Sequence, residues 1–244
     1  PSTFAWQLGM PVMMVLMFVY VFGSAMDVTG LGAGEGYIDY AMPGLFAMTM
    51  AFGFMNTAFE VTMKKEKGFM DRFRSMPMSS SAVVTGRGIA DIIHAAIDLA
   101  IIAALALVIG WRSGGSAGAT LLAFALLLWL RLALIFVGIA LGLRLKNTEA
   151  AGSLFAVAFP IGFISSVFAP PEMMPGWLGA VAAWNPVSST ASAIRELFAT
   201  PGAAVGEPSY WIDGHAMAGA VLWPALIMAI FIPLAVRQFQ HLSK

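Results

Sequence analysis

The sequence predicts an all-α integral membrane protein with six transmembrane helices. Of its 244 residues, 59% are hydrophobic and only 11% are charged, whereas a soluble domain carries roughly 25% charged residues. Six apolar stretches each reach the length of about 20 residues that a helix needs to cross a bilayer. Lys and Arg are concentrated in the segments on one side of these stretches, which is typical of a multi-span protein. Lipid must therefore cover much of the surface.

The six stretches define the predicted spans in chain order. They cover residues 6–26, 42–63, 89–111, 119–145, 150–168 and 216–236. We predict that they form a single transmembrane domain over residues 1–244.

A seventh apolar run, residues 177–194, is interrupted at Asn185-Pro186 and continues with three Ser and one Thr. Polar backbone groups freed at such a break need partners inside a membrane. We therefore predict two short helices that dip into the outer leaflet. They form a re-entrant helical hairpin between spans 5 and 6, within an extracellular block at residues 169–196.

The orientation follows from the distribution of Lys and Arg. With the N-terminus inside, ten of the 13 basic residues fall in cytoplasmic segments, two fall outside and one lies within a span. The ten are Lys64, Lys65, Lys67, Arg72, Arg74, Arg87, Arg144, Lys146, Arg237 and Lys244. This asymmetry predicts that both termini are cytoplasmic.

The cytoplasmic segment 64–87 is long and basic. Within it Phe69, Met70, Phe73 and Met76 fall at helical spacing with charges on the other face, and Pro77 must end or kink a helix there. This pattern predicts an amphipathic helix that lies on the membrane surface or against a partner. The alternative is a positively charged loop whose apolar residues touch lipid headgroups.

Several kinds of chemistry are excluded by the sequence. The chain has no Cys, so it forms no disulfide or thiolate site, and its three His are not at metal-ligand spacing. It contains no GxxxxGK[ST] motif, so it does not bind ATP by that route. We expect no catalytic residue, metal or cofactor in this chain.

Ionisable residues inside the spans are the candidates for a functional site, because they are costly in lipid. Asp91, His94 and Asp98 share one face of the third span. Asp98 and Arg131 are nearly equidistant from the turn that joins the third and fourth spans, which predicts equal depth. We predict an Asp98–Arg131 ion pair or a polar network shared with His94. This network either fixes helix register, lines a substrate path or transmits motion, or relays protons.

Glu60 lies near the inner end of the second span. We expect it to reach the interface or to pair with a Lys of the following segment.

Two long motifs resemble those of ABC exporter permeases of the second type, especially the daunorubicin-resistance-like branch. The first runs from GFMDRFRSMP to the third span, and the second is the outer PPEMMPGWL and NP block. The matching positions of the first are Gly68, Arg72, Arg74, Pro77, Gly86, Arg87 and Asp91. Those of the second are Pro171, Met174, Pro175, Trp177, Leu178, Asn185 and Pro186, followed by Arg195.

The resemblance implies a plasma-membrane permease that works as a dimer, with a second copy or a sister permease, and exports a hydrophobic drug or lipid. A separate ATP-binding cassette ATPase subunit would bind ATP and Mg. The loop after the second span would act as a coupling helix that docks on this ATPase, and the outer block would act as an extracellular gate. Coupling is expected of Gly68, Phe69, Arg72, Phe73, Arg74, Pro77 and Arg87. The gate is expected to contain Pro171, Met174, Pro175, Trp177, Asn185 and Pro186.

Two other functions fit the residues. A proton-coupled multidrug carrier would use the intramembrane Asp, His and Arg residues, although such carriers usually show internal repeats. A membrane scaffold would bind partners and transport nothing.

Overall fold

The computed structural model describes residues 37–68, 80–200 and 210–242, together with Gly9, 12–13 and 15–17 near the N-terminus. Within these residues the regular secondary structure is entirely helical, so the all-α prediction is confirmed for them. The α-helices are α1 Tyr37–Glu66, α2 Ser80–Ile109, α3 Ala117–Arg144, α4 Thr148–Phe163, α5 Gly176–Ala183, α6 Pro186–Leu197 and α7 Ala216–Leu242. Two short 3-10 helices, Pro171–Met173 and Asp213–His215, precede α5 and α7.

Four described helices, α1, α2, α3 and α7, are long and apolar enough to cross a bilayer. Helix α4 is also apolar but has 16 residues, which is about 24 Å of helix against a hydrocarbon core of about 30 Å. The first predicted span, 6–26, lies largely outside the described residues. Six spans therefore remain a prediction.

The long helices extend beyond the apolar stretches that predicted them. Helix α1 begins at Tyr37 instead of residue 42, and α2 begins at Ser80 instead of residue 89. Hydropathy marks where a chain enters lipid, whereas the helical hydrogen bonds continue into the polar interface. The predicted inner segment 64–87 is correspondingly divided, because its first residues complete α1 and its last residues begin α2.

Helices α1 and α3 form the centre of the fold and approach closely at two glycines of α3. A methyl group added to Gly138 would come within 2.5 Å of the Phe54 carbonyl oxygen, and one added to Gly142 within 2.6 Å of the Ala58 carbonyl oxygen. Small residues at such positions let helix backbones pack together where lipid offers no hydrophobic driving force. This contact fixes the register of α1 against α3.

The buried apolar residues form two separate clusters. The cluster toward the predicted extracellular side, which we call the outer cluster, contains Phe46, Trp111, Phe124 and Phe198. Their rings meet mostly edge to face. The cluster toward the predicted cytoplasmic side is the inner cluster. The inner cluster includes Val61, Val84, Ile135, Phe136, Ile139 and Phe239. The gap between the two clusters holds the polar groups described next.

Candidate functional site

A buried polar layer separates the two apolar clusters. On α2 it lies at Asp91, between Val84 of the inner cluster and Ala95 of the outer one. Arg131 of α3 and Thr57 of α1 occupy the corresponding gaps in their helices. Three neighbouring helices thus each place a buried polar side chain in the same layer.

Asp91 is the most fully bonded member of the polar layer. Its Oδ2 accepts a hydrogen bond of 2.9 Å from Thr57 Oγ1, and its Oδ1 lies 2.8 Å from Arg87 Nη2. The same Arg87 nitrogen is 2.8 Å from Glu60 Oε2. Arg87 therefore joins the inner ends of α1 and α2, and we call this group of four residues the latch.

Glu60 has the expected lysine partner and a closer one that the sequence did not predict. Its Oε2 is 3.7 Å from Lys64 Nζ, as expected for a pairing with the following segment. The nearer cation is Arg87, which lies 27 residues away in the chain. A pairing between helices at that separation has no local sequence signal.

Arg131 is buried, with 7% of its surface exposed, and incompletely bonded. Its guanidinium lies against Gly53, where an added methyl group would overlap Nη1. Nη1 has no hydrogen-bond partner in the described part of the chain. The predicted grouping of Arg131 with Asp91 and Asp98, and the specific Asp98–Arg131 ion pair, remain predictions.

The three polar residues on α2 differ in burial. Asp91 is buried and Asp98 is half-buried, whereas His94 is exposed. A step of three residues rotates a helix position by about 60° from the starting face. That rotation places His94 on the exposed face of α2, so the structure does not bring it into the buried layer with Asp91.

The inner end of α1 clamps the turn between α3 and α4. Lys65 Nζ donates to the carbonyl oxygens of Leu143 and Leu145 at 2.9 and 2.6 Å. Glu66 Oε1 accepts from the Thr148 backbone N–H at the start of α4. The helix dipole stabilises a cation at the C-terminus of a helix and an anion at the N-terminus. Lys65 at the end of α3 and Glu66 at the start of α4 have these two positions. From the sequence, Lys65 is predicted only to lie on the cytoplasmic side of the membrane.

Only two of the seven predicted coupling residues are described. Gly68 has a φ of 69°, and its backbone N–H bonds to the Lys65 carbonyl oxygen. A glycine in this left-handed conformation commonly ends a helix, and here it ends α1. Arg87 belongs to the latch. The other five, Phe69, Arg72, Phe73, Arg74 and Pro77, lie outside the described residues.

The outer block consists of α5 and α6, divided at the predicted break. Asn185 caps α6 by accepting from the Val187 N–H, and Pro186 occupies the first turn. The Asn185 amide nitrogen also donates to the carbonyl oxygens of Ile161 and Ile164 at the end of α4. One side chain therefore satisfies freed backbone groups of two helices, which explains how the break is accommodated.

Arg195 fastens α6 to α1 and is a residue whose role the sequence did not reveal. Its Nε donates to the Tyr40 carbonyl oxygen at 3.1 Å, and its Nη2 to the Val167 carbonyl oxygen at 2.9 Å. The guanidinium also lies 3.8 Å above the Tyr40 ring. Gly44 leaves room for this contact, because an added methyl group would come within 2.7 Å of the Val167 oxygen.

The first four predicted gate residues shape the entry to α5. Pro171 begins a 3-10 turn, Met174 ends it, and Pro175 precedes α5. The ring of Trp177 is 73% exposed and lies on the outer face of the block. The prolines therefore set the course of the backbone into α5, whereas the Trp177 side chain contributes exposed apolar surface.

A ladder of phenylalanines runs along α4. Phe155, Phe159 and Phe163 are four residues apart, with ring centroids separated by 5.1 and 4.4 Å. Phe52 of α1 stacks against Phe159 at 6.1 Å. Phe155 and Phe159 are 43% and 37% exposed, so the ladder forms part of an accessible apolar face.

No metal site is apparent in residues 37–68, 80–200 and 210–242. No three His, Cys, Asp or Glu side chains in these ranges lie close enough together to hold an ion. Asp91, the acidic residue of the polar layer, is bonded to Arg87 and Thr57.

Comparisons with known proteins agree with this architecture. The sequence model of the family described as "ABC-2 type transporter" matches residues 1–199. The daunorubicin resistance ABC transporter permease protein DrrB1 of Streptomyces coeruleorubidus is 30% identical over 234 residues, which cover 95% of this chain and 77% of that protein. The putative transport permease ycf38 of Porphyra purpurea is 24% identical over 200 residues, covering 81% of this chain and 68% of that protein. The ycf38 protein of Cyanophora paradoxa is 25% identical over 170 residues, 66% of this chain and 56% of that protein.

Proposed function

The chain belongs to the ABC-2 type transporter family, and we propose that it exports a hydrophobic or amphipathic drug or lipid, driven by ATP hydrolysis in a separate subunit. The family supports the assignment as a membrane-embedded permease. The partner ATPase would bind ATP and Mg, and a second copy or sister permease would complete the pathway. The drug-like substrate class rests on the similarity to a permease named for daunorubicin resistance.

The proposed topology has six spans within one domain, residues 1–244, and both termini in the cytoplasm. Four long apolar helices support it. Helix α4 would be the fifth span, extended by the irregular chain that follows it, and residues 6–26 would supply the first. The plasma membrane is the proposed location, because export from the cell takes place there.

The observation that best supports coupling to an ATPase is the continuity of α2. This helix runs without interruption from Ser80 to Ile109, so the end of the inner segment is rigidly joined to a span. A force that an ATPase applies to residues 68–77 would move α2 as a lever. The contacts on the ATPase would come from Phe69, Arg72, Phe73 and Arg74, with Gly68 and Pro77 setting the ends of the coupling helix.

The polar layer is proposed to respond to this movement. The latch holds α2 to α1 through Arg87, and Asp91 belongs both to the latch and to the polar layer that contains Arg131. Buried ion pairs are weak sources of stability, but they specify one register among several. A shift of α2 would change whether Arg87 or Arg131 faces its two acidic residues, Asp91 and Asp98. The polar layer would therefore have one set of ion pairs for each of two positions of α2.

The outer block is proposed to close the pathway as a re-entrant gate. The outer end of α6 is level with the turn between α2 and α3, since the Gly114 N–H bonds to the Phe198 carbonyl oxygen. Its inner end meets the last turn of α4 through Asn185. These contacts support a hairpin that descends from the outer surface and ends within the membrane.

The phenylalanine ladder is the proposed contact for the substrate. Flat aromatic groups pack well against phenylalanine faces, and such contacts contribute about 0.5–1.5 kcal/mol each beyond their buried area. The exposed rings of Phe155 and Phe159 support a preference for aromatic, amphipathic molecules over long polysaccharides.

The proposal is tested by expressing the permease with its ATPase and measuring transport in vesicles. We expect ATPase activity that vanadate inhibits and that an amphipathic drug stimulates. Transport that persists without ATP but stops when a proton gradient is collapsed would support the carrier alternative. A protein that binds its partners and transports nothing would support the scaffold alternative.

Charge reversal in the coupling segment is the sharper test. The double variant Arg72→Glu, Arg74→Glu is expected to insert normally and to lose substrate-stimulated ATP hydrolysis, because the docking charges are inverted. Arg144→Glu, at an exposed inner position outside that segment, is the matched control and should remain coupled. Unchanged transport by the double variant would remove the coupling assignment.

A further inference from the structure

Helix α5 carries an apolar stripe on its outward side. Trp177, Val181 and Trp184 follow each other at steps of four and three residues, so they lie on one face. Their exposed fractions are 73%, 54% and 52%. The opposite face, which includes Gly179 and Ala182, is buried against the rest of the block.

The contacts of α5 give the depth of this stripe relative to α7. Tyr210, just before α7, donates from its hydroxyl to the Gly176 carbonyl oxygen at the start of α5. The Trp184 ring, at the other end, lies 6.4 Å from the ring of Trp223. Trp223 is the eighth residue of α7, about 10 Å along the helix axis from Ala216. Helix α5 therefore descends beside the outer third of a span.

Helix α7, which α5 contacts through Trp223, also carries an exposed apolar ridge. Leu222, Leu226 and Ile230 are spaced four residues apart and are 64%, 50% and 53% exposed. Leu222 is adjacent in sequence to Trp223, which contacts Trp184. A ridge of this composition on a span faces the acyl chains of lipid. The α5 stripe carries no charged or hydrogen-bonding side chain other than the two indole N–H groups.

We propose that the Trp177–Val181–Trp184 stripe contacts the phospholipid of the outer leaflet. Trp177 lies at the headgroup level, where tryptophan is enriched because its ring is amphipathic, and Trp184 lies among the acyl chains. Trp211, which is 63% exposed and stacks on His215 beside α7, lies near the same outer level. The lipid contact fixes the depth of the outer block in the membrane, and Trp177 lies on the face of the block that contacts lipid. This inference rests on the proposed re-entrant placement and not on coupling to an ATPase.

The test uses the absence of native cysteine. Trp177→Cys, Val181→Cys and Trp184→Cys, each in the full-length chain, are labelled with a nitroxide in phosphatidylcholine vesicles. Collision rates with oxygen, which enters lipid, and with a water-soluble nickel chelate give the depth of each label. Leu222→Cys is the control for lipid and Glu149→Cys the control for water.

We expect all three stripe labels to favour oxygen, with a depth that increases by about 10 Å from position 177 to 184. Labels that favour the nickel chelate at all three positions would overturn the proposal and indicate an aqueous surface. Low collision rates for both reagents, with dipolar broadening between labels, would overturn it in favour of contact with a second copy. Val181→Cys alone decides between these results if the tryptophan variants do not fold.

Export measured on the same variants separates this inference from the proposed function. If the unmodified protein with its ATPase exports nothing, the exporter proposal fails while the lipid contact can still be demonstrated. If the variants export drug but their labels are in water, only the lipid contact fails.

Discussion

Arg131 and Arg195 are both buried arginines, but their surroundings differ. Arg195, 2% exposed, bonds to two backbone carbonyl oxygens and lies on an aromatic face. Arg131, 7% exposed, has an Nη1 without a hydrogen-bond partner among the described residues. Each guanidinium contacts a glycine of α1, Gly44 for Arg195 and Gly53 for Arg131.

We propose that Arg195 is a structural cation and that Arg131 responds to movement of α2. Arg195 is bonded to carbonyl groups of the folded backbone. Arg131 shares the polar layer with Asp91 of α2, the helix proposed to move, and Asp91 is bonded to Arg87. Incomplete bonding costs stability and is consistent with a residue that changes partners. Four experiments test this difference and the neighbouring polar contacts, ordered by their expected effect on the free energy of unfolding.

Arg195→Leu is expected to have the largest effect, a loss of about 3 kcal/mol, because the buried carbonyl groups of Tyr40 and Val167 both lose a charged donor. The unfolding free energy is measured by titration with SDS in mixed micelles. Arg195→Lys, which keeps the charge and loses the second donor, should lose less. A neutral result for Arg195→Leu would contradict the structural role.

Gly44→Ala is expected to cost about 2 kcal/mol, since the new methyl group meets a rigid backbone oxygen. Gly53→Ala should cost about 1 kcal/mol, because the overlapping atoms are the end of the flexible Arg131 side chain. The same titration compares the two. We expect Gly53→Ala to reduce export more than Gly44→Ala does, and the reverse order in both measurements would contradict the comparison.

Lys65→Met is expected to lose about 1 kcal/mol, because two carbonyl groups at the end of α3 lose a charged donor. The experiment is again the SDS titration. Lys64→Met provides the control, since Lys64 is partly exposed and its contact with Glu60 is a longer i,i+4 pair. Equal effects of the two would show that the clamp contributes no stability.

Arg131→Leu is expected to change stability by less than about 1 kcal/mol, because removing an incompletely bonded buried charge relieves its desolvation cost and offsets the contacts that are lost. Its effect should appear in transport, as a loss of substrate-stimulated ATP hydrolysis. Arg131→Lys is the variant that keeps a charge in the layer. A stability loss as large as that of Arg195→Leu would make both arginines structural.

The sequence predicted much of the architecture because hydropathy and helix breakers act locally. The apolar stretches anticipated α1, α2, α3 and α7, and Asn185-Pro186 marked the division between α5 and α6. The ends of the helices were less well predicted, as at Ser80, because backbone hydrogen bonding does not stop where lipid begins.

The candidate site was only partly predictable for a different reason. The residues of the polar layer were identifiable because charge inside a span is rare. Their partners were not, since the Arg87–Glu60 and Lys65–Leu143 contacts depend on how helices distant in sequence are rotated against each other. His94 shows the same limit, because its position on α2 was near Asp91 in sequence but on the exposed side in the fold.

The sequence by itself determined that the chain is an all-helical membrane protein, where its apolar helices lie and which family motifs it carries. These properties depend on residues that are close together in the sequence, so they do not depend on how the helices pack against each other. Only the tertiary structure decided that Arg195 fastens α6 to α1, that Arg131 lies beside Gly53 and that Trp177 is on the outside of its block. Each of these depends on the rotation and depth of one helix against another, which close packing at a few glycines fixes and which no local pattern encodes.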